Sequence, residues 1–325
     1  MSLMPWIAMA AGCAAVDYLE PLPQPGEEGY SAQPRHHLRF VMENDSPFGS
    51  DCNYTHGTRI DYARALAKNS NHAFGISLTQ NMYTPQHHTN GAVPGEHPYA
   101  GYLALGVAHL YAGEYVGNSI EFQIGTTGKP SLADETQDLV HRVLDCERWY
   151  GWGDQVPSEM TFQLSARQDY RLPWFEVCTD NGLQSDATLF TREELGTVSI
   201  AAETGVYFRF GRNLPPAMQV TGNHAADYGM GLLRKPDYDP TVTSWYVLAG
   251  GSVRYVARDM FIDGGVFHDF EKTCHKEPWV GEATIGFGAR RKGVDYYVGI
   301  VTRTPDFHAQ DDDTVFGTFN FGFHW

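Results

Sequence analysis

The chain has 325 residues, a length that either one closed barrel or two average domains could fill. Tyrosine and phenylalanine each number 18 and glycine numbers 34, while the mean hydropathy is negative, a combination unusual for a soluble enzyme with an aliphatic core. The formal net charge of −16 disfavours nucleic acid and anionic lipid as targets of simple electrostatic attraction, so an anionic substrate would need a bridging cation.

The N-terminal segment carries no strand pattern. Residues 1–15 are apolar and end in small residues that suit a signal peptidase, so we interpret them as a signal-like segment, although the usual basic start is missing. Cys13 after Ala-Gly also fits a lipoprotein cleavage box. Residues 16–36 contain Pro, Gly and Glu without periodicity and are interpreted as a flexible leader.

Alternating apolar and polar side chains dominate the rest of the chain and predict amphipathic strands. No apolar run there reaches the roughly 18 residues of a helical membrane span, so only a barrel could cross a membrane. Residues 37–325 are therefore predicted to form one domain. The alternation is clearest for Leu38, Phe40 and Met42, for Ile120, Phe122 and Ile124, and for Val294, Tyr296, Val298 and Ile300.

The C-terminus gives the sharpest pattern, because the chain stops on an aromatic residue of an amphipathic strand. Its alternating aromatic residues are Phe319, Phe321, Phe323 and Trp325. Such an ending resembles the signature by which bacterial outer-membrane proteins are recognised for barrel insertion. We therefore predict an all-β fold, a transmembrane antiparallel β-barrel of about twelve strands.

The links between strands differ in length. Short links such as 291–293 are expected to be periplasmic turns, and longer ones such as 84–98, 127–157 and 304–313 are expected to be external. Residues 211–243 have the least clear strand pattern.

One external link breaks the strand rhythm. Between Leu132 and Glu147 the apolar residues follow helical spacing, which predicts a short helix in the loop, and Pro130-Ser131 just before it is expected to cap the helix. Gln137 and His141 then lie four residues apart on one helical face and within mutual reach. Glu147 lies off that face unless the chain turns back after the helix.

His141 is a candidate general base. A single histidine is more often structural than catalytic, and the chain has 14 of them. However, His141 is the only histidine on the predicted helix, with an amide one turn earlier and a carboxylate soon after. An imidazole with such support can take a proton from water near neutral pH.

A second polar group flanks the first external loop. Asn44-Asp45 ends the first predicted strand, and Thr55 begins the second. Carboxylate, amide and carbonyl oxygens are the ligands of a hard cation such as calcium. The alternative is an ordinary Asn-Asp turn held by a local hydrogen bond. The five cysteines have no CxxC spacing, so no zinc or redox motif is indicated.

Together these motifs resemble one family, the outer-membrane lipid A 3′-O-deacylases. The resemblance runs across most of the chain and rests on the order and spacing of modest motifs. These are Glu43-Asn44-Asp45, Tyr54-Thr55-His56-Gly57, His97-Pro98-Tyr99-Ala100-Gly101, Gln137-x3-His141-x5-Glu147, Gly151-Trp152-x2-Gln155, Arg209-Phe210-Gly211-x-Asn213-Leu214-Pro215, Phe261-Ile262-Asp263-Gly264, Phe307-x2-Gln310 and Phe316-Gly317.

The resemblance implies an ester hydrolase whose site lies at the external rim, between the barrel wall and a loop helix. It would use calcium to release the 3′ acyloxyacyl chain of lipid A through a water that a histidine activates. The implied catalytic residues are His141, Gln137, Glu147, Thr55, Asn44 and Asp45.

The implied roles follow from the family. His141 would be the base, and Gln137 and Glu147 would orient or support it. The ion and oxyanion site would be completed by Asn44, Asp45 and Thr55, with Asn44, Asp45 and Glu147 as calcium ligands. The expected partners are lipopolysaccharide and the bacterial outer membrane, with no nucleic acid, and a monomer is expected.

The chain departs from the family in three places. Cys52-Asn53 follows Asp51 where the family usually has Asp-Arg, and His56 replaces a common Asn. The second external loop, residues 86–90, carries no Lys or Arg that could bind a lipid phosphate. These changes remove no proposed catalytic group, but they leave the substrate preference open.

Three other interpretations remain at this stage. A barrel phospholipase or other esterase would share the fold and calcium, but a serine nucleophile would be expected beside His141, and none is adjacent. A passive porin or structural barrel would make the histidine incidental. A folded but inactive family member is disfavoured because all six residues are retained.

Overall fold

The structure is a computed structural model that describes residues 36–46, 52–66, 71–87, 91–144, 149–216, 223–228, 238–270 and 274–325. The signal-like segment and residues 16–35 of the leader lie outside the described residues. The strands are β1 His36–Asn44, β2 Asn53–Ala65, β3 His72–Thr84, β4 Ala100–Ala112, β5 Val116–Thr127, β6 Met160–Arg171, β7 Val177–Cys178, β8 Leu183–Gly196, β9 Ser199–Arg212, β10 Ser244–Asp259, β11 Trp279–Arg291, β12 Val294–Arg303 and β13 Thr314–His324.

Twelve long strands form a closed barrel. Each pairs antiparallel with its neighbour along the chain, β1 pairs with β13, and β6 pairs with β8, while the two-residue strand β7 adds only to β8. The predicted twelve-stranded antiparallel barrel is confirmed. An even strand number brings both ends of the barrel domain to the same side. We call this side the terminal end and the opposite side the loop end.

In the part of the chain that the structure describes, two helices interrupt the strands at the loop end. Helix α1 is Ala133–Leu144, which confirms the predicted loop helix, and α2 is the single turn Met260–Asp263. Short 3-10 turns occur at Lys129–Ser131, Gly151–Asp154 and Pro173–Phe175. Among the described residues, no helix has the length and hydropathy needed to cross a membrane.

The barrel has an apolar outer face and a polar lumen, the reverse of a soluble protein. Side chains alternate along each strand, and the exposed face is apolar, for example at Ile76 and Leu78, which are 46% and 41% exposed. The lumen instead buries charges that pair with one another: Arg39 Nε donates to Asp61 at 2.9 Å, and Arg59 Nη2 lies 3.1 Å from Glu121. Buried charges of this kind persist only when they are paired. An apolar wall around a polar lumen is typical of transmembrane barrels.

The link from β9 to β10 enters the lumen. The Asn223 N–H donates to Glu43 at 3.0 Å, and the Tyr228 hydroxyl donates to Glu121 at 3.2 Å. Asp227 lies 3.5 Å from Arg39, and the guanidinium of Arg59 lies over the Tyr228 ring. Residues 223–228 therefore lie inside the lumen, and they include no strand.

The lengths of the links follow the prediction only in part. The three long links 84–98, 127–157 and 304–313 all lie at the loop end, and the 292–293 turn lies at the terminal end, as predicted. The β9–β10 link is the exception, because it is long and starts from the terminal end. The described residues of this link lie inside the lumen and pair with its charged side chains, so the link can be long without extending beyond the terminal end. Conversely, the β8–β9 turn at the loop end is only Thr197 and Val198.

Candidate active site

Helix α1 lies on the outside of the barrel wall, over β3 and β4. Met82, an outward-facing residue of β3, is buried because it packs with Tyr99, Ala133 and Trp152. At Gly101 on β4, an added Cβ would lie 2.5 Å from that of Ala133. A glycine at this position therefore allows the start of the helix to touch the wall directly.

The segment before α1 anchors it to the wall. Gln80 Nε2 donates to the Ser131 carbonyl at 2.7 Å, and the Ser131 hydroxyl donates to the Gly128 carbonyl at 2.6 Å. Leu132 then adopts a left-handed conformation, with φ 59°, before the helix begins at Ala133. The prediction that Pro130-Ser131 caps the helix is therefore wrong. The two residues form a separate turn whose hydrogen bonds are used to dock the loop.

Gln137 is held by a buried tryptophan. Trp152 Nε1 donates to Gln137 Oε1 at 2.6 Å, and both side chains are buried. Because an indole nitrogen can only donate, this bond fixes which end of the amide is the oxygen. Gln137 Nε2 is then a buried donor that finds no acceptor among the described residues. Such a group costs roughly 1–3 kcal/mol when it stays unpaired.

His141 lies one helical turn after Gln137. Its ring is partly exposed and meets the ring of Trp149 edge to face, with centroids 5.5 Å apart. Trp149 also packs against the cluster around Met82. Trp149 and Trp152 therefore contact the two predicted catalytic residues of α1, a role that the sequence motif Gly151-Trp152 did not suggest. Glu147 lies outside the described residues.

The β1–β2 loop brings three predicted residues together. Asn44 Nδ2 donates to the Thr55 carbonyl at 3.2 Å, and Asn44 Oδ1 accepts from the Ser46 N–H at 2.9 Å. Asp45 is fully buried and accepts from the Cys52 N–H at 2.8 Å. Both side chains thus shape the turn, as expected for an ordinary Asn-Asp turn. They also bring several oxygen atoms together at the rim of the barrel.

A β-bulge turns Thr55 towards the side of the wall that carries the helix. The β2–β3 register shifts between Tyr54 and His56, so Thr55 is the extra residue. The Thr55 hydroxyl lies 2.5 Å from that of Thr84, which is two residues beyond Met82 on the same face of β3. Sequence analysis missed Thr84, because nothing in the alternation of β2 marks the bulge.

One row of the sheet connects the two groups. Asn44 pairs with His56, His56 with Met82, and Met82 with Gly101 beneath the start of α1. Since neighbouring strands lie about 4.8 Å apart, the whole row spans roughly 14 Å. Five of the six predicted residues therefore border one stretch of the outer wall at the loop end.

His97 belongs to the packing that supports this stretch. Its Nδ1 lies 2.7 Å from the Pro98 carbonyl, and its ring stacks on Tyr83 with centroids 4.9 Å apart. Burial lowers the pKa of His97 below its usual value, only partly offset by the contact with the Pro98 carbonyl. The buried ring and its contacts with Pro98 and Tyr83 therefore fit a structural role for this histidine.

The lumen holds a separate polar cavity of about 110 Å³. Its lining includes Glu43, Tyr54 and Arg303, and it also includes Asn223 and His224 of the lumen segment. Because it lies on the inner face of the wall, this cavity is separate from the site under α1.

Comparisons with known proteins identify the family. The model of a family described as outer membrane protein LpxR matches residues 4–325. The chain belongs to the LpxR family. LpxR-family membership and the barrel fold assign it to the bacterial outer membrane, where the longer loops of such barrels are external.

One solved structure shares the fold. LpxR from Salmonella typhimurium is similar with a TM-score of 0.73 and 17% identity, over 89% of this chain and 100% of that chain. The β domain of the Bordetella autotransporter BrkA gives a TM-score of 0.44 and 11% identity, over 91% of this chain and 100% of that chain. A search of curated proteins gives no match. At these identities the likeness of this LpxR-family chain to solved structures shows the fold alone.

Proposed function

We propose that this LpxR-family protein is a lipid A 3′-O-deacylase that acts, as a monomer, from the outer leaflet of the outer membrane. The observation that carries the proposal is Gln137 Nε2, a buried donor without an acceptor among the described residues. It lies under α1 on the outer wall, where the acyl chains of a membrane lipid can approach from the side.

The chemistry proposed is hydrolysis of an ester. His141 takes a proton from a water molecule, and the water oxygen bonds to the ester carbonyl carbon. Negative charge develops on the carbonyl oxygen, and Gln137 Nε2 is the donor we propose for it. The bond to the sugar oxygen then breaks, and the proton passes from His141 to that oxygen. The products are a free fatty acid and a 3′ hydroxyl.

The oxygen-bearing residues at the rim fit a hard cation. Asn44, Asp45 and Thr55 supply amide, carboxylate, hydroxyl and carbonyl oxygens at one turn, which is the donor set that calcium prefers. Backbone N–H groups already orient both the Asn44 and the Asp45 side chains, as outer hydrogen bonds do around metal ligands. When bound, calcium would supply Lewis acidity for the developing oxyanion. Glu147 is proposed as a further ligand and as support for His141.

The test is mass spectrometry of lipid A from Gram-negative cells that express the protein. We expect wild-type protein to remove the 3′ acyloxyacyl chain, and His141→Asn and Gln137→Ala to leave it in place. Val143→Ala is the matched control, because Val143 lies on the same helix and is 75% exposed. Intact lipid A in wild-type cells would reject the proposal.

Two alternatives predict different outcomes. If cells lose acyl chains from glycerophospholipid and not from lipid A, the protein is a barrel phospholipase. A passive porin is disfavoured because residues 223–228 and the charge pairs of Arg39 and Arg59 occupy the lumen. Single-channel conductance in planar bilayers would support a porin.

A further inference from the structure

A second cluster of metal-binding side chains lies at the terminal end of the lumen. His37 of β1, Asp295 of β12 and His324 of β13 each offer one donor atom, and these atoms all lie within 4.8 Å of one another. His37 and His324 are paired in register where the first and last strands meet, and their rings stack with centroids 4.2 Å apart. The cluster therefore lies on the seam that closes the barrel.

The surroundings of His37 favour a metal ligand over a hydrogen-bonded side chain. It is fully buried, and neither ring nitrogen has a hydrogen-bond partner among the described residues. A buried imidazole normally satisfies at least one nitrogen, because an unpaired buried polar group is costly. Among the described residues, no protein hydrogen bond accounts for a histidine at this position.

Gly322 leaves space between the donors. It pairs with Asp295 across β12 and β13, and a Cβ added there would lie 3.2 Å from His37 Nε2 and 3.5 Å from Asp295 Oδ2. The absent methyl group marks a small gap that a nitrogen donor and an oxygen donor both border.

We propose that His37, Asp295 and His324 bind one divalent transition-metal ion of the zinc class. Two imidazoles and a carboxylate form a common zinc ligand set, with bonds of about 2 Å. Tetrahedral ligands at that distance lie about 3.3 Å apart, so modest side-chain rotation brings the three donors into range. A solvent molecule or other small ligand would complete the coordination.

Arg290 has to yield two contacts when the ion binds, and the direct hydrogen bond between His324 Nε2 and Asp295 Oδ2 has to open as well. It donates from Nε to Asp295 Oδ1 and from Nη2 to Asp295 Oδ2 at 2.7 Å, and Nη2 also lies 3.0 Å from His324 Nε2. With the ion in place, Nε keeps its bond to Oδ1, while Nη2 leaves Oδ2 and His324. The Arg290 bond to Oδ1 then orients the carboxylate while Oδ2 binds the ion, an arrangement that is usual for a metal ligand.

The ion would link the first and last strands at the point where the barrel closes. Its ligands come from β1, β12 and β13, which join the two ends of the barrel domain. A ligand that binds only the folded protein stabilises it, and the stabilisation rises with the logarithm of the ligand concentration once that exceeds Kd. The site lies at the opposite end of the barrel from α1, so it is independent of the proposed deacylase.

The test is zinc binding by the purified full-length protein, refolded without affinity tags in detergent and stripped of metal. We expect one zinc per chain after equilibration with micromolar zinc and dialysis, and a higher unfolding temperature. His37→Asn should abolish both effects. Gly322→Ala should do the same, although it leaves all three donors in place.

His72→Asn is the matched control. His72 and His109 form another cross-strand histidine pair, 3.1 Å apart, but it is exposed. We expect this variant to keep the zinc. No bound zinc in wild type, or zinc that persists in both His37→Asn and Gly322→Ala, would overturn the proposal, as would loss of zinc in His72→Asn.

A measurement on the wild type covers the case in which the variants fail to fold. X-ray absorption by the zinc-loaded protein should give a first shell of nitrogen and oxygen with the multiple scattering of two imidazoles. A spectrum with one imidazole or none would reject this ligand set.

Discussion

The sharpest prediction concerns the hydrogen bond between Trp152 and Gln137. Trp152→Phe removes the indole N–H and keeps most of the ring that packs against Tyr99 and Met82. The amide of Gln137 then loses the only contact that fixes its orientation among the described residues, and Nε2 can turn away from the carbonyl oxygen. Removing one partner of a buried hydrogen bond costs roughly 1–3 kcal/mol, which is about 5- to 150-fold in rate if the loss falls on the transition state.

The assay is the rate of 3′ deacylation of purified lipopolysaccharide in detergent, with kcat and KM determined separately. We expect Trp152→Phe to lower kcat within that range and to leave KM nearly unchanged, because the donor acts on charge that develops during the reaction. Gln137→Ala should cost more, about 100- to 1000-fold, the usual loss when an oxyanion donor is removed. Trp174→Phe is the control, since Trp174 lies at the terminal end and is 70% exposed. If Trp152→Phe stays within twofold of wild type while Gln137→Ala is inactive, the Trp152 bond does not position the amide.

Three further predictions can be checked with the same preparations. A calcium-selective chelator should abolish hydrolysis and added calcium should restore it, so chelator-resistant activity would contradict the calcium site. Thr84→Val, which removes the hydroxyl 2.5 Å from that of Thr55, should lower kcat by roughly tenfold while the barrel still folds; unchanged activity would show that the Thr84 hydroxyl does not position Thr55 for the reaction. Because the folded pKa of His97 is depressed, its contribution to stability is fully present above about pH 6.5 and declines as the pH falls below that value towards the folded pKa, where the unfolded chain binds more protons. Wild type should therefore lose more of its unfolding temperature than His97→Gln between pH 7.5 and 5.5, and equal losses would show that His97 is not the cause.

The barrel could be predicted from the sequence because its side chains obey a period of two over nearly every strand. The pattern that ends at Trp325 and the alternation in β1, β5 and β12 needed no partner strand to be recognised. Helix α1 could also be predicted from a local pattern, since its apolar residues follow the helical period. Local periodicity is what a single sequence records most directly.

The missing parts depend on contacts between distant residues. The bulge at Thr55 is a choice of register between two strands, so the alternation of β2 alone does not reveal it. The role of Trp152 depends on a bond to a residue 15 positions earlier, and the lumen segment depends on partners more than 100 positions away. For Asn44-Asp45 the two interpretations were not exclusive, because the same side chains hold the turn and gather the oxygen atoms at the rim.

Residues 223–228 have a consequence for how the protein is assembled. The residues that hold this segment lie on β1, β2 and β5, whereas the segment itself lies between β9 and β10 and is made later. They are Glu43, Glu121, and Arg39 with its partner Asp61. The partners of the segment are therefore already in the chain when the segment is made. The early strands serve as a template for the interior, and the segment that pairs with them also narrows the path for leakage through the barrel.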